Sequence, residues 1–153
     1  MEIMKNKKLH LFLLLLAGFS IVSFDGQKEA VSTRRKAFFG CTYSDNSPID
    51  VNTFKQMMML PLCAKDSNNN IYKVRSFTVT YAERGLYQDD EGLPIIVTDY
   101  SSDNFNGDTL TPYWKNSFNE RLYKGDTVYF ERVMCTNSEK KNFLCKTLKL
   151  IIK

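Results

Sequence analysis

The stretch LTPYWKNSFNERLYKGDTVYFERV, residues 110–133, decides the fold, because it carries a helix, a turn and a strand in direct succession. Thr111 before Pro112 has the form of an N-cap followed by proline at the first helical position, where the missing N–H is no loss and φ is already helical. Leu110, Trp114, Phe118 and Leu122 recur every four residues and share one helical face, while Lys115, Asn116, Asn119, Glu120 and Arg121 cover the other. Gly125 and Asp126 stop the helix and turn the chain into TVYFERVMC, whose β-branched and aromatic residues suit a half-buried strand.

Downstream, strands over residues 126–135 and 143–153 make a closing hairpin. In the second of them Leu144, Leu148, Leu150 and Ile152 share the core parity, and Cys145, Thr147, Lys149 and Ile151 share the other. Upstream, residues 71–82 read as a strand whose apolar phase changes from Tyr72 and Val74 to Phe77, Val79 and Tyr81, which predicts a bulge near Arg75 and Ser76. Residues 83–85 end that strand. Residues 94–98, PIIVT, are a second, short strand, and the polar run to Asp108 returns to loop. Asp50 caps a helix in which Val51, Phe54, Met58 and Leu62 share a face, with Pro61 limiting its length. Met57, Met58 and Met59 read as core filler beside exposed side chains, and residues 65–70, KDSNNN, are a turn. The fold class is all-β with two short helices, a disulfide-stapled β-sandwich.

The chain has 153 residues, enough for one domain and a short extra segment. Lys5, Lys7 and Lys8 precede an apolar run over residues 9–24 with Ser20 and Ser23 near its end, the layout of a secretory signal peptide cleaved after Ser23. The run is shorter than the roughly twenty residues of a membrane span; an uncleaved anchor is the other reading. The expected organisation is a signal peptide at 1–23, a flexible lead at 24–37 and one domain at 38–153. Loss of residues 1–23 removes three Lys and one Glu, taking the formal charge from +4 to +2. Lys and Arg are scattered among acids, apart from the cluster Thr33, Arg34, Arg35 and Lys36, which reads as a solvated tail, so no nucleic-acid partner is expected.

Cys41, Cys63, Cys135 and Cys145 form an even set within the expected mature chain, which suits an oxidising compartment. Of the three possible pairings, Cys135 with Cys145 across the closing hairpin, and then Cys41 with Cys63, fits the strand pattern. Zinc would require closely spaced pairs, which are absent. The one histidine, His10, falls in the signal segment, so the mature chain has none for a nucleophile triad or a metal site. Carboxylates are numerous, among them Asp89, Asp90, Glu91, Asp99, Asp103, Asp108 and Glu131, but a two-carboxylate enzyme needs a larger framework for its cleft. Gln88 to Gly92 lacks the alternating oxygen ligands of a calcium loop. No enzymatic activity and no cofactor are expected.

The pattern Thr111-Pro112, Leu122-Tyr123-Lys124-Gly125-Asp126 and Val128-Tyr129-Phe130-Glu131, with VRSFTVTYAERG upstream at residues 74–85, resembles the C-terminal domain of the GldM/PorM family of the type IX secretion and gliding-motility machinery. The likeness runs from about Ile49 to the C-terminus. It implies an immunoglobulin-like sandwich and a non-catalytic periplasmic or surface module that docks on an envelope or secreted protein, a type IX secretion component among the candidates. In that family the domain closes a long periplasmic rod behind a membrane helix. Here it follows an export signal directly, as a stand-alone copy would. Membrane contact is expected only through the N-terminal segment, if that is retained.

For docking, residues 94–98 are the edge-strand candidate, since Pro94 cannot donate to a ladder and an edge offers unpaired N–H and C=O groups. Ile95, Ile96 and Val97 would meet the partner, with Asp89, Asp90 and Glu91 beside them steering a basic one. The alternative reading is a secreted or surface module that binds carbohydrate through Tyr87, Tyr100, Phe105, Tyr113, Trp114 and Tyr123.

Overall fold

A computed structural model describes residues 35–153. The expected signal segment and most of the expected lead lie outside the described residues. The lead is shorter than the sequence suggests: β1 (Arg35–Phe38) opens the domain, and Ala37 within it is buried. There follow β2 (Ser47–Ile49), α1 (Val51–Met57), β3 (Cys63–Asp66), β4 (Ile71–Gln88), β5 (Pro94–Asn106), α2 (Pro112–Arg121), β6 (Thr127–Thr136), β7 (Asn142–Leu144) and β8 (Leu148–Ile152). The strands belong to one curled, mixed sheet in the order β1-β3-β4-β6-β8-β2, with β5 added on β4 and β7 on β6. Only β2 and β8 run parallel. A parallel bridge from Lys36 to Lys146 joins β1 back to the chain between β7 and β8, so the curl meets itself there. The disulfide Cys41–Cys63 ties the loop after β1 to the start of β3. By closing a loop of this length it restricts the unfolded chain by about 3 kcal/mol. Among the described residues no helix is long and apolar enough to cross a membrane.

The two helices and the concave side of the sheet enclose the core. Leu110, Trp114, Phe118 and Leu122 are all buried, as their spacing predicts. Phe118 packs against Phe54 of α1, Tyr81 of β4 and Trp114, with ring centroids between 5.2 and 5.4 Å apart. Fully burying a side chain of this kind is worth about 1.5–3 kcal/mol over leaving it in water. Asp50 caps α1 through a 2.9 Å bond from the Thr53 N–H to its Oδ1. Thr111 makes no such side-chain bond, so α2 starts on the preset φ of Pro112 alone. That helix also ends at Leu122, three residues before Gly125, whose φ of +102° serves the following turn.

The bulge expected near Arg75 and Ser76 is present as a register shift between Val74 and Ser76, and a second shift separates Ser76 from Thr78. Two strands outrun their sequence limits. β4 continues through Glu83, Arg84 and Gly85 to Gln88, and β5 takes in the polar run to Asn106. That run looks like loop because its Ser, Asp and Asn residues have low strand propensity. Its side chains instead form cross-strand pairs on a solvated face, the Thr78 hydroxyl donating to Asn104 Oδ1 at 2.7 Å and the Thr80 and Ser102 hydroxyls lying 3.1 Å apart.

The closing hairpin also differs from expectation. β7 is three residues long, and the chain leaves the ladder over residues 145–147 before β8 begins. The break resets the alternation, so Cys145 turns into the core while Leu144 is only half-buried. Cys135 is buried too, which corrects the outward placement expected of both cysteines. They are free thiols with Sγ atoms 3.1 Å apart, beside Arg35, whose guanidinium carbon lies 3.7 Å from the Phe143 ring centroid and 4.7 Å from that of Tyr72. Arg35 therefore belongs to a packed cluster and not to a solvated tail.

Candidate functional site

The last residue of β4 paired with β6 is Ala82, opposite Thr127. Beyond it β4 and β5 pair only with each other, from Glu83 with Asp99 to Gln88 with Pro94, and form a two-stranded arm. Opposite residues share a face. One face of the arm carries Glu83 with Asp99, Gly85 with Val97 and Tyr87 with Ile95; the other carries Arg84 with Thr98 and Leu86 with Ile96, with Tyr100 adjoining. Leu86 is 75%, Ile96 62% and Tyr100 69% exposed, so this strip of apolar surface is uncovered. On the opposite face Gly85 leaves room for its neighbour, since a Cβ there would stand 2.4 Å from the Tyr87 ring and displace it. The ring lies over Gly85, and its hydroxyl donates to Asp99 Oδ2 at 2.9 Å, which raises the phenol's pKa.

The base of the arm is held firmly. Asp126, buried at the end of the α2–β6 turn, accepts from the Arg84 N–H at 2.8 Å, the Tyr123 N–H at 2.8 Å and the Tyr81 hydroxyl at 2.6 Å. A buried carboxylate demands such partners. Arg121 of α2 forms an ion pair with Glu83. At the tip, Asp89 Oδ1 accepts from the Glu91 and Leu93 N–H groups, and Gly92 takes a φ of +80°. Asp89 is thus partly spent in making the turn, whereas Asp90 and Glu91 are exposed.

β5 has β4 on one side only, which leaves its other edge open. The direction of each N–H follows from the ladder. Asp89 donates to the Leu93 carbonyl at one end and Gly107 to the Arg75 carbonyl at the other, so odd-numbered residues of β5 bond inward and even-numbered ones face out. Pro94 sits at an outward position, where its missing donor costs nothing. Ile96, Thr98, Tyr100 and Ser102 therefore present outward N–H groups. That of Asn104 is taken by the Asp103 carboxylate at 2.8 Å, which closes the edge at that end. Between Arg84 and Lys115 the chain holds six acids (Asp89, Asp90, Glu91, Asp99, Asp103 and Asp108) and no Lys or Arg.

The structure thus brings Asp89, Asp90, Glu91, Ile95, Ile96 and Val97 together on one arm. Leu86 and Tyr100, which sequence reasoning left out of the edge, complete its apolar strip; the alternation of Tyr87 with Leu86 beyond Gly85 was the available signal. The aromatic set proposed for carbohydrate does not converge. Phe105 and Trp114 are in the core, Phe105 stacked on Phe77 and Trp114 tilted against Phe118, and the Trp114 indole donates to Asp103 Oδ2. Cys41 and Cys63 are joined, and Cys135 and Cys145 adjoin in the core. Among the described residues no group of His, Cys, Asp and Glu is placed to hold a metal ion. Compared with models of known protein families and with curated proteins, the sequence matches none.

Proposed function

We propose that the chain is a non-catalytic, exported interaction module that receives an extended, basic segment of another envelope or secreted protein as an added strand along β5. The open edge of β5, set in a stretch of the chain that carries only acidic charge, is the observation that carries the reading. Strand addition draws affinity from the main chain and specificity from alternate side chains, for which Ile96 and Tyr100 with Leu86 offer apolar contacts. The acids steer a basic partner and bias its register. The Cys41–Cys63 disulfide is consistent with an exported protein. The resemblance to the GldM/PorM terminal domain supports an immunoglobulin-like sandwich and a place near type IX secretion or gliding machinery, as a detached adaptor in the periplasm or at the cell surface.

Capture from an envelope extract identifies the partner, and its affinity is then measured for two variants. Ile96→Pro removes an outward donor without touching the β4 ladder. Asp89→Lys with Asp90→Lys reverses the charge at the tip. Each should weaken binding at least tenfold, and binding to the parent protein should fall with added salt. Unchanged affinity in both variants, with circular dichroism intact, would place the interface elsewhere.

A further inference from the structure

On the sheet face that carries the Thr78–Asn104 and Thr80–Ser102 pairs, two adjoining hollows of about 560 and 520 Å³ share Thr78, Asn104, Arg132 and Leu144 and form one trough, which reaches down to Phe77, Phe105 and Cys145 at the rim of the core. Two irregularities coincide there. β6 bulges opposite Phe77, and Arg132 at the bulge adopts φ +48°, a left-handed conformation uncommon for any residue but glycine, asparagine or aspartate. The chain also leaves the ladder at residues 145–147, which supply the trough's far wall through Lys146 and Thr147. The Arg132 guanidinium has no hydrogen bond or ion pair among the described residues, whereas Lys146 is engaged with Asp45 at 3.0 Å.

We propose that this trough binds an acidic saccharide, with Arg132 holding a sugar carboxylate. Among apolar side chains such as Met134 and Leu144, its lining also carries six hydroxyl or carboxamide ones: Ser76, Thr78, Ser102, Asn104, Asn106 and Thr147. Such groups both donate and accept, as sugar hydroxyls do. Beside them Glu131 accepts from Thr80 at 2.8 Å and remains open to a further donor. A peptide strand finds no purchase here, because β4 is paired on both sides and its backbone groups are consumed in the ladders. A neutral sugar finds no exposed ring to stack on: the aromatic residues at the trough, Phe77 and Phe105, are buried. Charge must then supply the affinity, and a guanidinium pairs with a carboxylate through two parallel bonds. This saccharide site differs from the aromatic one considered above and does not depend on the arm.

The test titrates the purified full chain with trigalacturonate, maltotriose and a tri-glutamate peptide by calorimetry and amide NMR. Trigalacturonate should bind saturably and shift amides of residues 76–78, 102–106 and 131–134, with both other probes at least tenfold weaker. Arg132→Gly and Arg132→Asn both accept the left-handed backbone. Each should keep or raise the melting temperature and lose at least tenfold in trigalacturonate affinity. No saturable binding, equal binding of tri-glutamate or maltotriose, or undiminished binding by both folded variants would overturn the proposal.

Discussion

The Tyr81 hydroxyl lies 2.6 Å from Asp126 Oδ2 and 2.9 Å from the Arg121 carbonyl, so a residue of the central strand ties the end of α2 to the turn before β6. Removing one side of this junction differs from removing the other. Asp126→Ala leaves the Arg84 and Tyr123 N–H groups without their acceptor and the Tyr81 hydroxyl with the Arg121 carbonyl alone, and should cost roughly 3 kcal/mol or more. Tyr81→Phe keeps the carboxylate with two backbone donors and should cost about 1–2 kcal/mol. Urea melts of both variants check the order; equal losses would mean that the phenol, and not the carboxylate, organises the junction.

The same contact predicts an alkaline limb. Burial first, and the Asp126 carboxylate second, raise the Tyr81 phenol's pKa far above its ordinary 10.0. The native state therefore keeps a proton that the unfolded chain releases above pH 10, and stability present below that pH is lost as pH rises beyond it. Melting temperatures from pH 8 to 11.5 should fall less steeply in Tyr81→Phe than in the parent. Parallel curves would remove Tyr81 from the cause.

Phe118 is fully buried among Phe54, Tyr81 and Trp114. Phe118→Ala should destabilise by about 3–5 kcal/mol, whereas Glu120→Ala on the wet face should change stability by less than about 0.5 kcal/mol. Denaturant midpoints at unchanged slope decide this, and similar small shifts for both would contradict the helical stripe.

The Cys135 and Cys145 thiols share a hydrogen bond, and this bond and burial raise the Cys145 pKa above the ordinary thiol value. In the folded, reduced protein the pair should resist alkylating reagents that label it readily in denaturant. Refolding the reduced chain with oxidised glutathione, while both thiols are still accessible, should pass through a mixed disulfide, release two molecules of reduced glutathione and join these two cysteines, whose sulfurs stand about half an ångström each from bonding distance. Peptide mapping without reduction should find Cys135 linked to Cys145 and Cys41 to Cys63. A link between the two sets would contradict the core placement.

Much of the architecture was legible where periodicity and local chemistry agree: the stripe of α2, the Asp50 cap, the bulge near Arg75 and the Cys41–Cys63 bond. What escaped depends on partners distant in sequence. The polar half of β5 reads as loop until Thr78 and Thr80 are seen opposite Asn104 and Ser102. The three-residue strand β2 is too short for any alternation to register, and nothing in the run 143–153 marks the break at residues 145–147 that parts β7 from β8. Asp126 stands in a Gly-Asp turn like any solvated acid, and only the fold reveals its burial. Within the candidate site, the tip acids and residues 95–97 were visible, but the outward N–H positions follow from ladder phase, which no single strand encodes.

β4 is at once the inner half of the arm and the middle of the sheet. Its 18 residues, at about 3.3 Å each, span about 60 Å. A partner bound at the tip and pulling away from the body therefore loads β4 along its own axis. Its ladder to β6, from Lys73 to Ala82, meets that load in shear, with the bonds resisting together instead of peeling one by one. A tug on the tip would reach the core lengthwise, and the Asp126 junction braces the point where it enters.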